Sequence, residues 1–122
     1  VSYVKDNLIA QAEEFARAYN VICVLKDART VCAIPYGKTY LNLTGNHGMA
    51  TAGSGDVLSG VITGLLGYLP PDVRTVALGA YLCGLAGEYA ARDVGEFSML
   101  ASDTVSHLAE AVRTVQKEGE PC

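Results

Sequence analysis

The sequence predicts an α/β domain, with a sheet carrying helices on both faces. Two observations point there. A helical apolar pattern covers residues 6–19, and straight after it come five consecutive apolar residues, Val21-Ile22-Cys23-Val24-Leu25. A run that short and that rich in β-branched side chains reads as a strand covered on both faces. Such a strand next to a helix belongs to a layered α/β architecture. At 122 residues and 50% hydrophobic content, the chain is one domain with enough apolar side chains to bury a core.

In the first helix, Leu8, Ile9, Ala12, Phe15, Ala16 and Tyr19 share one face, with Glu13, Glu14 and Arg17 outward. Asp6 is a candidate N-cap and Asn20 a candidate left-handed stop. Strand 21–25 ends at Lys26. In open α/β sheets, ligands bind at the carboxyl ends of strands, so Lys26 is either a solvated lysine or one that faces a phosphate. Residues 30–35 and 39–43 read as two more strands, joined through Pro35-Tyr36-Gly37-Lys38 as a hairpin. Tyr36 and Tyr40 read as cover for a sheet face.

A helix is predicted over 55–66, its buried face carrying Val57, Leu58, Val61, Ile62, Leu65 and Leu66. Gly60 and Gly64 are expected to sit against a neighbouring helix, and Gly67 to terminate this one. Pro70-Pro71-Asp72 then breaks the chain and starts a helix over about 73–92, a span read from the pattern alone. Ala77, Ala80, Gly84, Ala86 and Gly87 leave that helix small-sided, which suits a tight helical layer. After a loop at 93–96, Ser102 or Asp103 caps a last helix whose buried face is Val105, Leu108, Ala109, Val112 and Val115. Residues 117–122 read as a polar tail.

Charge and composition exclude several function classes. Net charge is −4 and there is no basic run, which argues against nucleic acid and anionic membranes as partners. No stretch approaches the roughly 18 consecutive apolar residues of a membrane span. Cys23, Cys32, Cys83 and Cys122 show no Cys-x-x-Cys spacing and read as buried, reduced thiols, so a cytoplasmic setting is expected. His47 and His107 have no histidine or cysteine at ligand spacing, and no protein-built metal site is expected.

The chemistry concentrates in Gly45-Asn46-His47-Gly48-Met49-Ala50-Thr51-Ala52-Gly53-Ser54-Gly55-Asp56. A backbone this poor in Cβ atoms can turn sharply and aim several N–H groups at one anion. It feeds a helix N-terminus, where free amides and the dipole favour phosphate. Asp56 is then either a first-turn carboxylate, favourable by ~0.3–1 kcal/mol, or a base beside a bound phosphate. A plain helix start needs neither Gly53 nor Gly55, which favours the second reading. Asn46 is either a turn residue or a contact to phosphate or metal-bound water. Thr51 and Ser54 offer hydroxyls near the anion. Met49 reads as packing, beneath an adenine if one binds.

Gly53-Ser54-Gly55-Asp56 before an apolar helix resembles the anion-hole motif of ribokinase-like kinases. The longer run from Gly45 to Thr51 resembles a narrower group, the ADP/ATP-dependent NAD(P)H-hydrate dehydratases. Val24-Leu25-Lys26-Asp27-Ala28-Arg29-Thr30-Val31 is similar to that family's nucleotide-site stretch and stands in the same order. The chain departs from the family at Asp27, where glycine is common, and at His47 and Ala52, where proline and glycine are common.

The resemblance implies a ribokinase-like three-layer α/β/α fold, of which this chain would form the C-terminal half. Family members are longer and this sequence does not begin with Met, so a fragment or separately made piece is expected. The resemblance further implies Asp56 as base and substrate contact, with Gly53, Ser54 and Gly55 as anion hole. Lys26, Asp27, Ala28, Arg29 and Thr30, together with Asn46, His47, Gly48, Met49, Ala50, Thr51 and Ala52, would line the nucleotide. ADP or ATP with Mg²⁺ would serve the dehydration of hydrated NADH or NADPH. Two alternatives stand beside this reading: a small-molecule kinase of the same superfamily acting on a vitamin precursor or sugar, and an inactive nucleotide-binding fragment. An exposed sheet edge would favour self-association, so a homo-oligomer is expected.

Overall fold

The computed structural model describes residues 7–27 and 29–119. Asp6, Ala28 and Cys122, on which expectations fell, lie outside them. The order is α1 (Leu8–Tyr19), β1 (Cys23–Leu25), β2 (Val31–Ala33), β3 (Tyr40–Leu41), a 3₁₀ turn (His47–Met49), α2 (Ser54–Leu66), α3 (Val73–Val94), α4 (Ala101–Ser106) and α5 (Leu108–Glu118). The strands form an antiparallel meander in the order β1-β2-β3. Cys23 faces Ala33 and Leu25 faces Val31, while Val31 faces Leu41 and Cys32 faces Tyr40.

Strand alternation distributes the core between two layers. Val31 and Ala33 point to α1 and pack with Ala12 and Ala16, all fully buried. Cys32 points the other way and packs with Leu58 of α2 and Val73, Val76, Ala80 and Cys83 of α3. On the far side of α3, Leu82, Leu85 and Ala86 meet Ala111 of α5. The expected α/β/α layering is therefore present, with α5 added outside it. The run 21–25, expected to be a strand covered on both faces, is a strand only over Cys23–Leu25 and is half-buried there, because β1 forms an edge of the described sheet and the fully buried strand is β2.

α1 ends as expected, on Asn20 in the left-handed region at φ 52°, its N–H donating to the Ala16 carbonyl. Its apolar face is wider than the sheet can cover, so Ile9, Phe15 and Tyr19 remain exposed. α3 is capped by Asp72, whose carboxylate accepts from the Arg74 and Thr75 amides at 2.8 and 3.3 Å. That carboxylate's pKa is lowered, chiefly by the hydrogen bond from the Arg74 side chain.

Three element-level expectations are corrected. Gly60 and Gly64 lie on the open face of α2, with nothing within 4 Å of where a Cβ would stand. The helix–helix contact is made instead by Gly79 of α3 against Ile62. Gly67 closes α2 at φ −74°, donating to the Gly64 and Leu65 carbonyls without a left-handed turn. The last helix is two helices with a break at His107. The break rotates its buried side onto Leu108, Ala111 and Val115, leaving Val105, Ala109 and Val112 exposed. The N-cap is Leu100 in place of Ser102 or Asp103, and Asp103, in the first turn, accepts from the Leu100 N–H at 2.7 Å. Among the described residues, no helix is long and apolar enough to cross a membrane.

Candidate nucleotide site

The β1–β2 turn and the glycine-rich loop stand at the same end of the sheet. Between them lies a cavity of about 600 Å³, floored by Leu58, Ala80, Cys83 and Gly84. Lys26, Asp27, Arg29 and Thr30 line one side; Gly45, Asn46, His47, Met49, Ala50 and Ser54 line the other. The two segments touch where the Lys26 ammonium donates to the Ser54 hydroxyl at 3.2 Å. Lys26 is also the side chain nearest Gly55, its Nζ 4.0 Å from where a Cβ would be.

Gly53 precedes α2 with φ at +91°, a conformation that costs an L side chain ~1–2 kcal/mol. It lets the chain reverse and enter the helix directly. The Ser54 amide donates to the Thr51 carbonyl and the Val57 amide to the Gly53 carbonyl, at 3.2 and 3.1 Å. The first-turn amides of Gly55 and Asp56 have no acceptor among the described residues. With Lys26 beside them, they form a positive, donor-rich corner suited to a phosphate.

Not every anticipated residue lines the cavity. Gly48, Thr51, Ala52, Gly53, Gly55 and Asp56 do not, and Asp56 is an exposed side chain on the first turn of α2. Gly48 instead accommodates the next segment, because a Cβ there would stand 2.6 Å from the Glu96 carbonyl oxygen and meet Met99. Asn46 spends its side chain internally: Oδ1 accepts from the Gly48 amide and Nδ2 donates to the Gly87 carbonyl, both at 2.9 Å.

Asn42, Thr44 and the buried Thr104 also line the cavity and were not anticipated. A signal existed for Asn42 and Thr44, polar residues spaced by two just before Gly45. Burial pushes the Cys83 thiol at the cavity floor up to about 11, so it stays protonated and unreactive. Cys32 is raised to about 11 as well, by burial first and by the charge of Cys23 second.

The carbohydrate-kinase family described as NAD(P)H-hydrate dehydratase matches residues 1–110. A bifunctional NAD(P)H-hydrate repair enzyme of Moorella thermoacetica is 48% identical over 118 residues, covering 96% of this chain and 22% of that protein. An ADP-dependent (S)-NAD(P)H-hydrate dehydratase of Neisseria meningitidis is 33% identical over 93% of this chain and 38% of its own length. The crystal structure of the Bacillus subtilis ADP/ATP-dependent NAD(P)H-hydrate dehydratase, co-crystallised with ATP and Mg²⁺, superposes with a TM-score of 0.83 at 31% identity. It covers 91% of this chain, and the chain covers 40% of it. The chain thus spans well under half the length of each of these relatives.

Proposed function

The chain belongs to the NAD(P)H-hydrate dehydratase family, and from that membership we propose that it binds ADP or ATP and serves the nucleotide-dependent dehydration of hydrated NADH or NADPH. The observation that carries the proposal is the one cavity shared by Lys26, Asp27, Arg29 and Thr30 with the glycine-rich loop, bridged by the Lys26–Ser54 hydrogen bond. The family matched and the names of the relatives favour dehydration over a sugar or vitamin kinase.

In the proposed reaction, the substrate hydroxyl loses its proton to Asp56 and its oxygen attacks the terminal phosphorus of the nucleotide. The nucleotide leaves one phosphate shorter, as AMP from ADP or ADP from ATP. The ring carbon–oxygen bond then breaks with departure of phosphate, a ring proton is lost, and the dihydronicotinamide double bond returns. Phosphate leaves far more readily than hydroxide, which is why this dehydration uses a nucleotide.

The chain's own groups supply position and charge. The Gly55 and Asp56 amides and the Lys26 ammonium face the negative charge that builds on the phosphoryl group. Asp56, one residue further along the same turn, is placed to take a proton from a substrate that approaches from outside the nucleotide cavity. Among the cavity-lining residues the carboxylate is Asp27. A magnesium ion would therefore be held mainly by the nucleotide's own phosphates and by water, and would neutralise phosphate charge there.

Self-association belongs to the same proposal. The outer edge of β1 is unpaired among the described residues and α1 leaves Ile9, Phe15 and Tyr19 exposed, and both would be covered in a homo-oligomer.

The direct test incubates hydrated NADH with the chain, Mg²⁺ and either ADP or ATP, following the return of reduced-nicotinamide absorbance. Recovery with one nucleotide establishes the reaction and identifies the donor. Nucleotide binding without recovery would make the chain a nucleotide-binding piece of a larger site. Asp56→Asn is expected to keep nucleotide affinity within about twofold and to lower turnover by at least ~100-fold, the usual worth of a positioned base. Normal turnover in that variant would remove Asp56 from the chemistry.

A further inference from the structure

The glycine-rich loop is held to α3 by a repeated device. Asn42 Oδ1 accepts from the Thr44 amide at 3.3 Å, and its Nδ2 donates to the Ala80 carbonyl at 3.0 Å. Asn46 does the same: Oδ1 accepts from the Gly48 amide and Nδ2 donates to the Gly87 carbonyl. In each case the acceptor half folds the chain two residues on, and the donor half reaches a helix carbonyl. The two carbonyls are seven residues apart on α3, about two turns or ~10.5 Å. Between them, the Thr44 hydroxyl stands within hydrogen-bond reach of two acceptors, Asn42 Oδ1 at 2.9 Å and the Tyr81 carbonyl at 3.1 Å, which share its one proton. The Gly45 amide donates to the Glu88 carboxylate at 3.1 Å.

The helix is shaped to receive this segment. A Cβ at Gly84 would overlap Thr44, and one at Gly87 would overlap the Met49 side chain. Both glycines are buried in the middle of a helix, where they weaken it relative to alanine. The contact they permit brings the loop's backbone down onto α3, close enough for the two asparagines to reach its carbonyls.

We propose that Asn42 and Asn46 are a pair of positioning residues, a two-point clamp that sets the register of the glycine-rich loop on α3 and so aims the amides of the α2 N-terminus at the nucleotide phosphates. This rests on the nucleotide reading of the cavity. Asn42 and Asn46 act through the loop backbone. The bonds to α3 and to the loop amides occupy one N–H and the carbonyl oxygen of each side chain.

The test separates the phosphate-dependent part of binding from the rest. Adenosine and ADP are titrated calorimetrically into the wild-type chain and into Asn42→Ala, Asn46→Ala and Gly84→Ala. Gly48 amide exchange is measured by NMR in the ligand-free proteins, with circular dichroism as the check on folding. A clamp lowers ADP affinity by about tenfold in Asn42→Ala, the worth of one or two hydrogen bonds. It leaves adenosine within about twofold, and it speeds Gly48 exchange although Asn46 is intact. Gly84→Ala, which pushes on Thr44 from the helix side, speeds Gly48 exchange without removing any hydrogen-bonding side chain.

An equal fall for adenosine and ADP overturns the proposal, since it shows a general structural role. Unchanged ADP affinity together with wild-type Gly48 exchange in Asn42→Ala overturns it too. If the wild-type chain binds neither ligand, the nucleotide reading fails. Gly48 exchange in Asn42→Ala then decides the clamp: acceleration supports the coupling of its two points and wild-type exchange refutes it.

Discussion

His107 turns both ring nitrogens toward oxygen: Nδ1 stands 2.6 Å from the Asp103 carbonyl and Nε2 2.8 Å from the Asp93 carboxylate. A neutral imidazole donates from one nitrogen only, whereas the protonated ring donates from both. Its pKa is accordingly raised, first by the Asp103 carbonyl and then by Asp93. Asp93 is held well below the usual carboxylate range, by Arg92 first and His107 second. Arg92 also grips Glu110 at 3.0 Å and lies over the Tyr89 ring. The group joins the end of α3 to the α4–α5 break. A raised imidazole pKa stabilises the fold fully below the unfolded value of about 6.5, and that contribution fades as pH climbs through the native value. His107→Gln should therefore lower the melting temperature most at mildly acidic pH, and the gap to wild type should close toward alkaline pH. A gap that is constant with pH would show that the ring acts by packing alone.

At the scale of elements, glycines of equal appearance in the sequence carry opposite loads. Gly60 and Gly64 face open space, while a Cβ at Gly79 would stand 2.7 Å from Ile62. Gly60→Ala should stabilise the protein by about 0.5–1 kcal/mol through the entropy of the unfolded chain. Gly79→Ala should destabilise it by ~1–3 kcal/mol through overpacking. Urea unfolding of the two variants measures both signs, and a stabilising Gly79→Ala would refute the tight α2–α3 contact. In the sequence, small residues on two adjacent helical patterns announced close packing but not which helix supplied the gap. The facing partner is a tertiary fact, and periodicity reports one helix at a time. The same limit applied to the last helix. Its apolar spacing was plain, yet the helix breaks at His107, whose ring meets the Asp93 carboxylate at the end of α3. The α1 stop at Asn20 and the 30–35/39–43 hairpin were legible because turn chemistry is local.

For the whole molecule, the candidate site was legible as two segments and not as one place. The glycine-rich loop and Lys26–Thr30 each carry their own local signal, and only the antiparallel β1–β2 turn brings them to a common cavity. The clamp escaped because it depends on α3 carbonyls, and a carbonyl leaves no trace in sequence. The layers also separate two surfaces. The candidate cavity opens beside α2 and α3, whereas α1 covers the opposite face of the sheet. On α1, Phe15 and Tyr19 stack at 4.6 Å between ring centroids while about half or more of each side chain remains exposed. An apolar pair presented in this way, on a helix packed over a sheet whose β1 edge is unpaired among the described residues, is where a second copy would gain most by docking. Light scattering should show association that grows with concentration in the wild-type chain and recedes in Phe15→Glu/Tyr19→Lys. ADP affinity should stay unchanged in that double variant, since α1 lends no side chain to the cavity. Association that persists unaltered would move the contact to the β1 edge. A fall in ADP affinity that tracks loss of the oligomer would mean that the copies complete one another's sites, and α1 would then belong to the function as well as to the fold.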